Sequence, residues 1–313
     1  MPYNNIVSRA DAQATIPEDV AAELTRGAIQ QSASMSLFRR RGLSRAQQRV
    51  PVMSVLPTAY FVSGDTGLKQ TTEVNWTNKF LNVEELAAIV PVPESVVEDM
   101  DFDIWGEVRP LLEEAIGIAV DAAVFFGVNK PASWPIDVVA SAIAAGNTYA
   151  RGTNAAVAGG IAEDFNQLLS LLEADGFDAT GAIAGRGMRG RLRGARDANG
   201  VRIDDVSPTE AFGVPIQYPM RGLWPTGLSA AEAIVGDFTE GIFGVRRDYT
   251  WKVLDQAVIQ DVAGVIIYNL AQQDMVALRV TARYAWQVAN TMNRDQPTEA
   301  NRSPFAVLTS PAA

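Results

Sequence analysis

Neither a cysteine nor a histidine occurs among the 313 residues. Disulfides, thiolate nucleophiles, zinc sites of the usual kind and every Ser-His-Asp triad are thereby excluded. What is left for catalysis is carboxylate, Lys, Tyr and Ser, which are too common on solvated surfaces to point to a reaction. Long apolar runs are missing too. A membrane-spanning helix needs roughly 18 uninterrupted apolar residues, and the best stretch, Gly117 to Val128, is broken by Asp121. The opening Met1-Pro2-Tyr3-Asn4-Asn5 lacks the cationic segment and apolar core of a signal peptide, so the chain is expected to stay in the cytoplasm where it is made. No membrane partner, cofactor, metal or catalytic residue is expected.

What is present is a globular composition, 48% apolar and 20% charged, enough to bury a core in roughly two domains of about 150 residues. The net charge of −10 argues against a chain whose main task is gripping phosphates. Its distribution is uneven: +3 over residues 1–50, −9 over 51–130, −4 over 131–250 and zero over 251–313. A basic leader thus precedes an acidic middle. In a self-assembling chain that pairing lets one copy's leader find another copy's body, although one monomer can use it internally just as well.

The first 50 residues are polar, with a short helix predicted from Pro17 to about Gln31 and an extended arm otherwise. The arm ends in Arg39-Arg40-Arg41, Arg45 and Arg49, which can touch DNA, meet acidic neighbours or simply be solvated. Ala59 to Ser63 and Val74 to Leu81 alternate apolar and polar residues about the turn-forming Ser63-Gly64-Asp65-Thr66-Gly67, the pattern of a long hairpin with a polar tip. Its large apolar residues are mainly Tyr60, Val62, Val74 and Trp76. A two-stranded ribbon so equipped is marginal alone, so it should lie on a neighbouring subunit or on its own domain.

Glu84 to Glu94 reads as a strand closed by Pro91 and Pro93, and Asp103 to Gly127 carries the apolar spacing of one helical face. Pro110 inside it predicts a kink or a late start. Residues 131–160, rich in Ala, Gly and Pro, are expected to be irregular. Beyond them follow a helix over Ile161 to Ala174, a strand over Ala179 to Ala184, a helix over Gly187 to Asp197, and strands at Ala233 to Asp237, Gly241 to Val245 and Tyr249 to Leu254. Met275 to Asn290 alternates cleanly, with Val276, Leu278, Val280, Ala282, Tyr284, Trp286 and Val288 on one face.

One enzyme-like motif stands out. Gly185, Gly187 and Gly190 form a G-x-G-x-x-G between a predicted strand and a predicted helix, and Asp204 follows 19 residues after Gly185, as in a dinucleotide-binding unit. The next strand, however, would have to be Gly200-Val201-Arg202-Ile203, too short and polar for the middle of a parallel sheet. The bland reading is a glycine-punctuated turn.

Taken in order, basic arm, long hairpin, proline-closed strand, long helix, α/β unit and terminal long strand resemble the major capsid proteins of the Hong Kong 97-like fold. The resemblance covers about residues 15–310 and is most specific from 57 to 121: Pro57-Thr58-Ala59, Trp76, Glu85-Leu86-Ala87-Ala88-Ile89-Val90-Pro91-Val92-Pro93-Glu94, Asp103-Ile104-Trp105, Arg109-Pro110 and Glu114-Ala115-Ile116-Gly117 before Asp121. Asn269-Leu270 and Asp274 to Arg279 are similar too. The resemblance implies an α+β subunit of a tailed double-stranded-DNA phage. Its parts are an N-terminal arm (1–50), an extended loop (57–84), a peripheral domain with a long spine helix and antiparallel sheet (51–56, 85–145 and 246–300), and an α/β axial domain (146–245 and 301–313). It further implies a structural, non-enzymatic role in which copies form pentamers and hexamers of an icosahedral shell around DNA.

In such a shell each loop lies on the neighbouring subunit, so Gly64, Asp65, Gly67, Lys69, Trp76, Arg39, Arg40 and Arg41 are the expected inter-subunit contacts, with Gly64, Gly67 and Pro110 as flexing points. Implied partners are further copies of the chain, and a scaffolding protein, a portal and a decoration protein; the implied location is the virion, after assembly in the host cytoplasm. Some family members join subunits covalently through a loop lysine and an asparagine activated by a glutamate. Lys69 fits the lysine, but the other two places hold Asp274 and Thr281, so no crosslink is expected. An encapsulin-type compartment and a nicotinamide-dependent enzyme using Gly185 to Gly190 are the alternatives.

Overall fold

The strict alternation near the C-terminal end becomes one strand of 14 residues, β13 (Met275–Val288), in which Leu278, Val280, Ala282, Tyr284 and Trp286 are all buried. The computed structural model describes residues 32–62, 67–99, 103–197, 199–219, 222–225, 230–261 and 263–311. The helix expected over Pro17 to Gln31 and the tip residues Gly64 and Asp65 lie outside the described residues.

β13 is central in a four-stranded sheet ordered β1 (Arg39–Gly42), β10 (Gly241–Leu254), β13, β4 (Glu84–Pro93). β4 and β10 run antiparallel to β13, whereas β1 runs parallel to β10. β10 is a single bulged strand where two were expected, with register shifts between Val245 and Arg247 and between Arg247 and Thr250. Pro91 and Pro93 sit on β4 at the sheet's edge, where a missing amide costs no ladder bond if it points outward.

One face of this sheet is covered by α3 (Ile104–Phe126), whose Leu112, Ile116, Val120 and Val124 join Leu278, Val280 and Tyr284 in one core. Asp103 caps α3 by accepting the amide of Trp105, and Gly127, at φ 67°, ends it. Its 23 residues span about 35 Å at ~1.5 Å each. The helix starts ahead of Pro110 and continues through it, so the late start is not realised. Pro110 still has no amide to offer the Gly106 carbonyl one turn back.

The second sheet has six strands in the order β5 (Thr148–Ala150), β14 (Phe305–Thr309), β9 (Ala231–Gly236), β6 (Gly181–Ala184), β8 (Val214–Gln217), β7 (Glu210–Ala211). It is mixed, with β6 antiparallel to β9 and parallel to β8. α5 (Ile161–Ala174) buries Phe165, Leu168 and Leu172 against it. Asp164, fully buried in the first turn of α5, accepts the amides of Gly152 and Asn154 and so ties the preceding turn down.

Residues 131–160 are not the irregular stretch their composition suggests. Asp137 accepts the amide of Ala140 and nucleates α4 (Val138–Ala145), where alanine acts as a helix former, and β5 follows. The helix expected over Gly187 to Asp197 is only α6 (Met188–Arg193), ended at Gly194.

The two sheets meet in an aromatic cluster. Phe38 lies 5.8 Å from Phe125 and from Phe238, 6.2 Å from Phe305, and stacks on Trp286 at 6.4 Å, so one side chain from the leader touches both sheets and the spine helix. A methyl group on Gly241 would overlap the Phe38 ring. Beside the cluster, Asp175 accepts from the Asn147 side-chain amide at 2.7 Å and from the Ser303 backbone at 2.9 Å, which fixes the crossing from β13 to β14.

Candidate assembly surfaces

The last part of the expected arm is not free. Ser32 caps α1 (Ala33–Leu37), and α1 leads through buried Phe38 into β1. The anchor is Asp121 on α3. Its buried carboxylate accepts the hydroxyls of Ser32 (2.6 Å) and Ser34 (2.5 Å) and the amides of Ala33 (2.8 Å) and Ser34 (3.0 Å). Burial pushes this carboxyl above the usual carboxylate range, against the lowering effect of those donors. From Ser32 onward the leader is therefore part of the subunit's own body. Arg39, Arg40 and Arg41 belong to an edge strand and not to a dangling arm, and all three are exposed.

The hairpin also differs from expectation. Its strands are β2 (Gln47–Val55) and β3 (Asn75–Asn82), so the first strand lies well before the expected Ala59 to Ser63, of which the described residues 59–62 form no strand. The reason is burial: Val50, Val52 and Leu81 point inward onto Ile242, Ala285 and Ala289, giving β2 a core that residues 59–62 lack. Beyond the ladder, the loop is held by the Thr58 amide on the Thr72 hydroxyl (2.9 Å) and the Tyr60 hydroxyl on the Gln70 carbonyl (2.5 Å).

Among the described residues, nothing covers the opposite face of the ribbon. Met53 and Trp76 are cross-strand partners, with Phe80 further along β3, and they are 38%, 65% and 44% exposed. On the loop, Phe61 and Leu68 are almost fully exposed and Lys69 is exposed, while Gly67 is half-buried. Sequence reasoning singled out Trp76 but passed over Phe61, Leu68, Met53 and Phe80. A second ribbon, β11 (Val258–Gln260) with β12 (Ile266–Asn269), was missed; it exposes Val265, Ile266 and Ile267. Its signal was the apolar run Val265-Ile266-Ile267-Tyr268 just after Gly264. Between β1 and β2 lies a cleft of about 440 Å³ lined by Arg39 to Arg41, Val50, Met53 and Ile242.

The glycine motif is structural. Gly185 faces Trp224, whose ring would lie 3.0 Å from an added Cβ, and Trp224 in turn donates to the Ala231 carbonyl at 2.5 Å. Gly187 and Gly190 border open space. The six-residue α6 and the antiparallel β9 beside β6 replace the long helix and parallel neighbours of a dinucleotide site. Among the described residues no group of three or more Asp or Glu is arranged to hold a metal, and no helix is long and apolar enough to cross a membrane. Asp274 sits at φ 48° in the turn before β13, and Thr281 lies within that strand.

Over residues 12–292 the sequence matches the phage capsid family. It is 25% identical over 295 residues to the major capsid protein of Staphylococcus phage 80alpha, covering 92% of this chain and 86% of that protein. A solved structure from Microbacterium phage Oxtober96 is 39% identical, with a TM-score of 0.85 over 98% of this chain and all of that one. One from Mycobacterium phage Bobi is 31% identical, with a TM-score of 0.85 over 99% and 100%. The capsid of a native GTA particle, 18% identical with a TM-score of 0.69, shares the fold.

Spine helix on an open sheet, a second mixed sheet and exposed ribbons thus define a structural subunit of the Hong Kong 97-like fold. The chain belongs to the phage capsid family, as a phage major capsid protein.

Proposed function

We propose that copies of this chain join head to tail into pentamers and hexamers, and that these close an icosahedral shell around double-stranded phage DNA without reading its sequence. The observation that carries the proposal is the uncovered face of β2–β3 with its loop, where Met53, Trp76, Phe80, Phe61 and Leu68 stand in solvent. Exposed apolar groups gathered on a protruding ribbon mark a contact surface, and head-to-tail contacts that close generate rings.

In this reading the arm of residues 1–50 is joined to the subunit's own body from Ser32 onward, and the extended loop of 57–84 continues the β2–β3 ribbon. The peripheral domain is 51–56, 85–145 and 246–300, and the axial domain 146–245 and 301–313. Gly64, Asp65, Gly67, Lys69 and Trp76 contact the next copy, as does the exposed edge formed by Arg39, Arg40 and Arg41. Flexing at Gly67 and a kink at Pro110 fit one sequence to non-equivalent places. A scaffolding protein, a portal and a decoration protein are the further partners. The role is structural and not enzymatic, and the destination is the virion after assembly in the host cytoplasm.

The test is purification of the chain followed by sedimentation and negative-stain microscopy. Closed particles of uniform size are expected, with nucleic acid inside those recovered from infected cells. A monomer in which Trp76 and Phe61 are shielded by the chain's own body overturns the proposal. Particles loaded with a cargo protein in place of nucleic acid identify an encapsulin-type compartment instead.

A further inference from the structure

The four-stranded sheet carries opposite charge at diagonally opposite corners. At one corner stand Arg39, Arg40 and Arg41 on β1, Arg45 just after it, and Arg246 and Arg247 at the bulge of β10, all exposed or nearly so. Among the described residues none of these six is joined to a carboxylate. Asp248, the acid next to them in sequence, is bonded instead by the Tyr284 hydroxyl at 3.1 Å. At the other corner β4 runs into α2 (Glu94–Asp99), where Glu94, Glu98 and Asp99 are exposed. Asp274, also exposed, is beside them, since its carbonyl accepts the Glu94 amide at 2.9 Å. None of these four carboxylates has a cation partner among the described residues either.

The register fixes how far apart the corners are. Arg40 pairs with Phe243 and Phe243 with Trp286, while Pro93, next to Glu94, pairs with Met275. From Met275 to Trp286 the chain advances about 36 Å at ~3.3 Å per residue, and the strands between add about 14 Å across the sheet. The screening length in physiological salt is about 8 Å. The two corners therefore do not neutralise each other within one copy.

We infer that the arginine corner of one copy docks on the Glu94, Glu98, Asp99 and Asp274 corner of the next. The inference rests on the shell reading above and names the electrostatic contact that orients its neighbours. A chain of net charge −10 repels its own copies unless unlike patches are brought together. Two complementary patches at separate places on one molecule make a heterologous contact, the kind that closes into rings, and charge complementarity sets its register and its rate.

The experiment is a charge swap in the full chain, read as the fraction of protein in closed particles by sedimentation and microscopy, with thermal melts as a check on folding. Glu98→Arg with Asp99→Arg, and separately Arg39→Glu with Arg41→Glu, are each expected to lower particle yield at least tenfold. Combining all four substitutions is expected to restore it to within threefold of wild type. Single reversals that assemble normally, or a combined variant that melts like wild type yet does not recover, overturn the contact while leaving the shell reading intact. Arginine variants that form particles in normal yield but retain less DNA overturn it in favour of a nucleic-acid face. Where a reversal melts early, Arg41→Gln and Glu98→Gln replace it, each with an expected loss of about threefold, and no loss counts against the contact. A wild-type chain that stays monomeric overturns both readings.

Discussion

The Ser32 hydroxyl donates to the Asp121 carboxylate at 2.6 Å across 89 positions of sequence, so the chain's leader is tied to the spine helix inside the subunit. Removing the acceptor strands the donors of Ser32, Ala33 and Ser34 in a buried place, at roughly 1–3 kcal/mol per unsatisfied group before relaxation. Asp121→Ala is expected to destabilise the fold by about 3 kcal/mol in chemical denaturation. Because the folded state raises this carboxyl, it binds the proton more tightly than the unfolded chain does. The stability it contributes is present below the ordinary carboxylate pKa and falls as pH rises through the folded value. The cost of Asp121→Ala should thus be larger near pH 4 than at pH 7, and a cost that grows with pH contradicts the assignment.

Phe38 in the leader and Trp76 on β3 are large aromatics with opposite fates. Phe38 is 3% exposed within the aromatic joint, so Phe38→Ala should cost about 3–5 kcal/mol. Trp76→Ser, on the uncovered ribbon, should change monomer stability by only about 0.5 kcal/mol and yet reduce particle yield. Equal losses of stability in the two variants count against an assembly role for Trp76.

Gly241 and Gly187 separate a packing glycine from a tolerant one. Gly241→Ala drives a methyl into the Phe38 ring and should lower the melting temperature by several degrees, about 1–3 kcal/mol of overpacking. Gly187→Ala meets open space and should be neutral in melting and in particle yield alike. Loss of dinucleotide-induced stabilisation in Gly187→Ala would revive the nucleotide reading.

Lys79 meets Glu299 at 2.9 Å, and the hydrogen bond from Lys79 holds the Glu299 carboxyl below its usual range. The Glu299 end of the pair is exposed to solvent, so it contributes about 1 kcal/mol or less. That contribution is present above the ordinary glutamate pKa and is lost as pH falls through the lowered one. Glu299→Gln should therefore converge on wild type as pH falls through that lowered value, or in 1 M salt, and be slightly weaker at pH 7, as thermal melts can show.

Lys69 is exposed on the loop, and the resemblance to the family puts Asp274 and Thr281 at the places where a crosslink would need an amide and a carboxylate. Assembled particles boiled in detergent should run as a single band near 33.6 kDa, and a ladder of covalent oligomers contradicts this.

How legible the fold is depends on where each element finds its partner. β13, α3 and α5 announce themselves because their buried faces repeat with the period of their own backbone. β1 does not. Arg39-Arg40-Arg41 is wholly exposed and becomes a strand only through parallel pairing with Ile242 to Gly244, some 200 residues away. β2 hides its alternation of Val50 and Val52 behind Arg49 and Pro51, which is why the ribbon is read too late in the chain. α4 is masked by composition, since alanines beside glycine and proline read as loop until Asp137 is seen to cap them. Of the surface residues, Trp76 is legible because a ribbon with a single apolar face must leave something uncovered. Phe61 and Leu68 carry no period at all and stand out only through exposure.

Pro91 and Pro93 lie two apart on β4, so both missing amides point the same way, off the margin of the sheet. At this end of β4 the margin therefore offers no backbone donors to an added strand. In a protein that must reach very high local concentration, the two prolines shorten the stretch of this edge along which amyloid-like pairing can run, and copies that meet at the Pro91–Pro93 end are left to recognise one another through side chains.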